Sequence, residues 1–387
     1  MIRPLPVALL LSLLIGSPAF AAGNVKSALA EVATLQSQKR YDAIIERLKP
    51  FESEPTAEVA FQIAWARYLL AIDGRRPENV DHDAMAAAAE WAERARGLGS
   101  VAAPNLLYQI HNEGAGMSVD RARALAYLKE GVQKGDAGAK SNYAVLLYRG
   151  APGVPRDRDH AGEIFRGLAL GKVISPAVYY YLGVMKFRGE GGTKKDPKAA
   201  MFFIKLAADR GDREAQRDMG KGLEFGWGGT QDLHEALEWY QKSADDGDGD
   251  AQWRIGMAYV NGDERAADPA LAVDWFRRAA ASGSTQGMTS LAVMYATGEG
   301  VKQDWVRARE LYEEAAEGGE AHALLNLSGM YLRGEGVAAD PVHGYVLLSR
   351  AAEMGDEQAV SLKPLVAKEL TDEQLAEAGR RLLEIAR

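Results

Sequence analysis

Apolar residues return along this chain at helical spacing, and short polar or glycine-bearing breaks separate the runs. Gly287, Leu291 and Tyr295 are four apart and line one face of a helix, called helix A below. Ala308, Leu311, Tyr312, Ala315 and Ala316 follow at i, i+3, i+4, i+7 and i+8, the apolar stripe of a second helix, B. Gly298 stands between them, where a helix C-terminus favours a left-handed residue without a Cβ. Asp304 stands where the N-cap of helix B belongs, and Gly319 closes that helix. The pattern predicts a helical hairpin.

The hairpin is repeated. GMTSLAVMYATGEGVKQDWVRARELYEEAAEGGEAH is followed directly by ALLNLSGMYLRGEGVAADPVHGYVLLSRAAEMGDEQ. Tyr295 and Tyr331, Gly298 and Gly334, Asp304 and Asp340, and Ala316 and Ala352 each fall 36 apart. A period of this size marks a stacked repeat architecture. One hairpin cannot bury its apolar face alone, and stacking on neighbours lets it do so.

The large helix-B residue can be followed through the chain as Trp91, Tyr127, Phe165, Phe203, Trp239, Trp275, Leu311 and Leu347, which predicts eight repeats. Helical spacing and flanking alanines make this row a core, not a ligand stack. The cap before helix B recurs as Asp120, Asp157, Asp196, Asp232, Asp268, Asp304 and Asp340, with proline after Asp196, Asp268 and Asp340. A second row, Asp136, Asp212, Asp248, Ser284, Glu320 and Asp356, is placed to cap helix A. Two irregularities interrupt the pattern. Ser175-Pro176 offers a displaced cap and first helical residue, and Gly226-Trp227-Gly228-Gly229 puts a tryptophan in an A–B loop. Trp227 is either a partner contact or folded back on its neighbour.

The pattern LSGMYLRGEGVAADP, continued by paired alanines and a glycine, resembles the Sel-one-like repeat (SLR), a relative of the tetratricopeptide repeat. That resemblance implies an all-α, right-handed α/α superhelical solenoid of about eight SLR units with helical caps. The expected division is a leader over 1–21, a helical hairpin cap over 22–55, the solenoid over 56–358 and a helical cap over 359–387. The first repeat, Ala57 to Ile72 and Ala84 to Arg96, is degenerate, with a long polar connector containing Pro77. Thr371-Asp372-Glu373-Gln374 resembles a capping box for the last helix.

Composition narrows the function. The net charge is −8 over 387 residues, with no Lys/Arg-rich run, which argues against a nucleic-acid partner. Arg3, the apolar run Val7 to Ile15 and Ala19-Phe20-Ala21 read as a secretory signal peptide, so an exported protein, periplasmic or secreted and soluble, is expected to begin near Ala22. No other stretch is apolar enough to span a bilayer. Cysteine is absent, which removes disulfides, thiolate metal sites, a cysteine nucleophile and a lipidated cysteine. Some exported SLR proteins staple each repeat with a disulfide, and this chain departs from that pattern.

Chemistry-bearing motifs fail on inspection. The acidic run Asp245 to Asp250 lacks the glycine and the closing glutamate of an EF-hand, counted from Asp246. The GEG segments join helix to helix, whereas a dinucleotide fingerprint follows a strand. The six histidines are scattered, and no GxSxG occurs. No metal, cofactor or catalytic residue is expected.

One surface remains. With the helix-A core position as zero, positions −2, +2 and +5 lie about 160°, 200° and 140° away from it. In successive repeats they are Asn105, Gln109, Asn112; Ser141, Val145, Tyr148; Tyr180, Val184, Phe187; and Arg217, Lys221, Glu224. They continue as Trp253, Met257, Val260; Thr289, Val293, Ala296; and Leu325, Gly329, Leu332. In tetratricopeptide-like arrays this face lines a concave groove, so the resemblance implies a groove here. Tyr148, Tyr180, Phe187, Arg217, Lys221, Glu224, Trp253 and Met257 are the candidate contacts, with Trp227 in the loop. Tight packing between successive A helices would bury the same residues. The reading is a non-enzymatic protein-interaction scaffold of the cell envelope that binds a peptide or protein segment. A rival is an envelope hydrolase acting on peptidoglycan or a β-lactam, which needs convergent carboxylates or a Ser–Lys pair. A third is a secreted effector that binds a host protein.

Overall fold

The computed structural model describes residues 18–72, 81–113, 119–171, 174–263 and 266–385. Arg3, the run Val7 to Ile15 and Pro77 lie outside the described residues. Twenty α-helices and no strand are found among the described residues.

The chain divides into two compact units. The first runs to Val178 and includes Glu190–Thr193. It holds α1 (Pro18–Ser37), α2 (Tyr41–Leu48), α3 (Ala57–Ile72), α4 (His82–Gly97), α5 (Ala103–Glu113), α6 (Arg121–Gln133), α7 (Ala137–Arg149) and α8 (Arg158–Ala169). Helix α9 (Pro176–Arg188) passes into the second unit. That unit continues with α10 (Pro197–Ala208), α11 (Arg213–Glu224), α12 (Leu233–Asp245), α13 (Gly249–Asn261), α14 (Pro269–Ala281), α15 (Thr285–Thr297) and α16 (Trp305–Glu317). It ends with α17 (Ala321–Arg333), α18 (Pro341–Glu353), α19 (Glu357–Glu369) and α20 (Asp372–Ile385).

From α3 onward the helices pair as the pattern predicts, A with B, giving eight pairs up to α18, with Gly183 of α9 set against Ala200 and Ile204 of α10. The caps are where the spacing puts them. Asp120, Asp157, Asp196, Asp232, Asp268, Asp304 and Asp340 each accept a backbone N–H from the first turn of a B helix. Asp136, Asp212, Asp248, Ser284 and Asp356 do the same for A helices. Glu320 does not. Its extra methylene carries the carboxylate past the turn, and it accepts instead from Thr285 Oγ1 at 3.2 Å. Helix α9 starts at Pro176. The tail closes as expected: Thr371 and Gln374 exchange backbone-to-side-chain bonds of 2.9 and 3.2 Å, a capping box.

Two glycines show how tightly the pairs fit. Gly298 ends α15 at φ 77°, a left-handed backbone that Cβ-bearing residues resist. Gly256 faces the ring of Phe276, and a Cβ there would lie 2.5 Å from it. The helix-B row is largely core: Tyr127, Phe165, Trp239, Leu311 and Leu347 are buried, and Trp91, Phe203 and Trp275 are half-buried. In the α13/α14 pair the fully buried ring belongs to Phe276, one residue past the predicted Trp275.

Candidate partner-binding surface

Three residues of the helix-A stripe make the same kind of inter-repeat bond. In the first unit, the side chain of Asn105, at −2, accepts from Asn142 Nδ2 at 2.8 Å. In the second, Tyr180 donates its hydroxyl to Asp218 Oδ2 at 2.9 Å, and Trp253 donates Nε1–H to Ser290 Oγ at 2.9 Å. Each time a −2 residue meets the −1 residue of the next A helix. Thr289 instead donates to the Thr285 carbonyl of its own helix at 2.9 Å, and Arg217 departs for an electrostatic reason. The corresponding −1 residue is Arg254, a like charge, so Arg217 turns to Asp218 at 3.3 Å and Asp248 at 3.1 Å. Burial opposes the charge of Arg217, yet Asp218 and Asp248 prevail and hold it above its ordinary pKa. Burial and the neighbouring Asp218 likewise push the Tyr180 hydroxyl pKa up.

These contacts sort the candidate residues. Tyr148 and Tyr180 are buried. The Tyr148 hydroxyl donates to Glu190 at 2.9 Å, and the Arg158 guanidinium lies over its ring. Neither ring is free for first contact with a partner. Arg217 is largely spent within the chain. Phe187, Lys221, Glu224, Trp253 and Met257 are half-buried and keep an accessible part. Trp227 folds back: its ring lies 4.7 Å from Phe187 and 6.1 Å from Phe225, and it is half-buried. The Trp227 backbone N–H donates to the Gly222 carbonyl at 2.7 Å, and a Cβ on Gly222 would press on Met201.

Sequence reasoning missed Phe225 and Arg254 on this surface, and the buried Tyr240 that bonds to Glu224. Phe225 is 55% exposed just beyond α11. Glu224 accepts from the Tyr240 hydroxyl at 2.5 Å and pairs with Arg254 at 2.7 Å. The Arg254 guanidinium also covers the rings of Trp253 and Phe225, at 4.8 and 5.4 Å. The helix-interior glycine at 220, where a Cβ would lie 2.7 Å from the Tyr240 ring, was an available signal for Tyr240. The acidic run is occupied structurally: Asp248 caps α13 and receives Arg217, and Asp245 accepts from Gln241. Among the described residues no His, Asp and Glu group converges to hold a metal, and no helix is long and apolar enough to cross a membrane.

The chain matches the Sel1 repeat family model over residues 103–136, 137–166, 176–212, 213–248, 249–284, 285–320 and 321–356. The α3/α4 hairpin, read above as a degenerate first repeat, falls outside these matches. A Sel1 repeat protein from Oxalobacter formigenes is similar in structure, with 26% identity and a TM-score of 0.55 over 64% of this chain and 96% of that one. A protective antigen present in uropathogenic Escherichia coli strains, displaying an SLR fold, is 22% identical over 92% of this chain and 94% of that one, with a TM-score of 0.36. Sel1 repeat proteins are generally non-enzymatic scaffolds, and the repeat fold supports a protein-interaction role. The matched repeats span more than half of the sequence, and the chain belongs to the Sel1 repeat family.

Proposed function

We propose that this is an exported, non-enzymatic scaffold of the cell envelope that holds a peptide or protein segment against its helix-A faces. The reading centres on α11 to α13, around Lys221, Glu224, Trp253 and Met257. One observation carries it. Phe225, 55% exposed, stands beside a half-buried patch that mixes aromatic, thioether and charged groups. Aromatic residues, methionine and arginine are the types enriched where proteins meet. Export rests on the leader-like segment, for which mass spectrometry of the natural protein should find an amino terminus at or near Ala22.

Affinity capture from envelope extract, with the chain from Ala22 as bait, tests the binding reading. Phe225→Ala combined with Lys221→Glu should lose the captured protein without lowering the melting temperature. Equal capture by both baits, or capture of nothing, would overturn it.

A further inference from the structure

The last A-type helix, α19, has no B helix packed on it. In earlier A helices Gly220 and Gly256 face the rings of Tyr240 and Phe276 in their own B helices, where a Cβ would lie 2.7 and 2.5 Å away. Pro364 stands three periods of 36 after Gly256 and puts a ring where those helices have no side chain. The final helix, α20, packs on α18 instead, with Ala378 buried and Arg381 paired to Asp340 at 3.4 Å. Of α19 only Ala359 is buried, while Val360 and Leu365 are 54% and 56% exposed. A terminal repeat that faces water carries a polar outer face. This one carries apolar groups in a definite order.

At about 100° per residue, Glu357, Ser361, Pro364 and Lys368 fall within about 30° of one line along α19, with Val360 and Leu365 about 70° to either side. All six are exposed. The line matches its own reversal. About a two-fold axis passing between Leu362 and Lys363, Glu357 of one copy comes level with Lys368 of the other, and Ser361 with Pro364. The two compact residues in the middle let the helices approach closely. Val360 and Leu365 then close the two sides of the seam, each against its own counterpart. Glu357 and Lys368 make no ion pair with another described residue, so both charges are available. Self-complementarity of this kind is what a two-fold contact between identical chains requires.

We propose that α19 is the contact of a symmetric dimer, in which the α19 helices of two copies lie antiparallel. One pair of 13-residue helices buries less than a standard stable interface, so the dimer forms at about 10–100 µM and weakens as salt rises. This self-association does not draw on the scaffold reading above.

Sedimentation equilibrium of the whole chain should show monomer and dimer in that range. Lys368→Glu and Glu357→Lys each set like charges level at both ends of the seam, and each should weaken the dimer about tenfold. Melting checks that both variants keep the fold. Mixed in equal amounts, the two restore opposite charges at both ends and should associate as the parent does. The chain has no cysteine, so Ser361→Cys supplies one thiol beside its two-fold mate. It should cross-link into dimers on mild oxidation far faster than Lys302→Cys, an exposed position in another loop. A parent chain that stays monomeric at several hundred micromolar, about tenfold above this range, overturns the proposal. So do charge variants that both dimerise like the parent, or a mixture no better than either alone. A monomer that loses a captured envelope protein on Lys368→Glu would give this face to a different partner and overturn it equally.

Discussion

The indole N–H of Trp253 is bonded to Ser290 Oγ, 2.9 Å away and one repeat further on. A half-buried ring with its polar edge already occupied is first of all a joint between repeats. Trp253→Phe keeps most of the ring and loses that bond, so it should cost about 1 kcal/mol. Ser290→Ala should cost a similar amount. The double variant should cost clearly less than the two together, by about 1 kcal/mol of coupling. Denaturant melts of the four proteins check this, and strict additivity would deny the bond.

Two left-handed glycines in neighbouring loops should respond differently to a methyl group. Gly319 has φ 89° and open space where a Cβ would sit, so Gly319→Ala meets backbone strain alone, about 1 kcal/mol. Gly300 has φ 67°, and its Cβ would meet the Pro269 carbonyl in the first turn of the preceding B helix. Gly300→Ala should therefore cost roughly 3 kcal/mol, strain and overpacking together. Equal losses would mean that this loop does not rest on its neighbour.

Glu320 is a cap position without a cap bond. Shortening it, Glu320→Asp, should let the carboxylate reach the first turn of α17 and raise stability by about 0.5–1 kcal/mol. Asp304→Ala, by contrast, removes an existing bond to Arg307 N and should lower stability by about 1 kcal/mol. A destabilised Glu320→Asp would show that the Thr285 contact matters more than the missing cap.

His111 is buried and stacked 5.5 Å from Tyr127. Burial, followed by the nearby Arg123, pulls its pKa below the ordinary histidine value, against the opposing pull of Asp120 and Glu93. The unfolded chain therefore takes up the proton first on acidification. The contribution of His111 is complete above about pH 6.5 and is lost as the pH falls from there through its lowered folded value. His343, lowered chiefly by burial in the other unit, acts with the same sign. The melting temperature should fall between about pH 7 and pH 5, and His111→Gln should remove part of that slope. A slope unchanged in the variant would place the proton elsewhere.

The repeat itself was legible because its determinants are local. An aspartate three residues before the amide it caps, or a glycine at a helix end, declares its role in the sequence alone, as Asp304 and Gly298 do. The joints were not legible in this way. That Trp253 meets Ser290 depends on how one A helix is set against the next, a relation between residues 37 apart. Arg217 stands among the candidate contacts for the same reason: of its partners only Asp218 lies in its own helix, while Asp248 and the repulsive Arg254 lie elsewhere. The retreat of Trp227 onto Phe187 depends on ring contacts with residues 40 and 2 positions away, Phe187 and Phe225, which no spacing in its own loop declares.

The contrast between local caps and the −2 to −1 contacts bears on how such a chain can change in evolution. Backbones of successive hairpins are near copies, so duplication or loss of a block of 36 residues, such as 249–284, preserves every turn within the retained hairpins. It does not preserve the seams. Without that block Ser290 loses Trp253, and Arg217 loses the Arg254 that turns it toward Asp248. A rearranged chain therefore keeps its hairpins and gives up the polar bonds of the seams it breaks, as at Trp253 and Ser290.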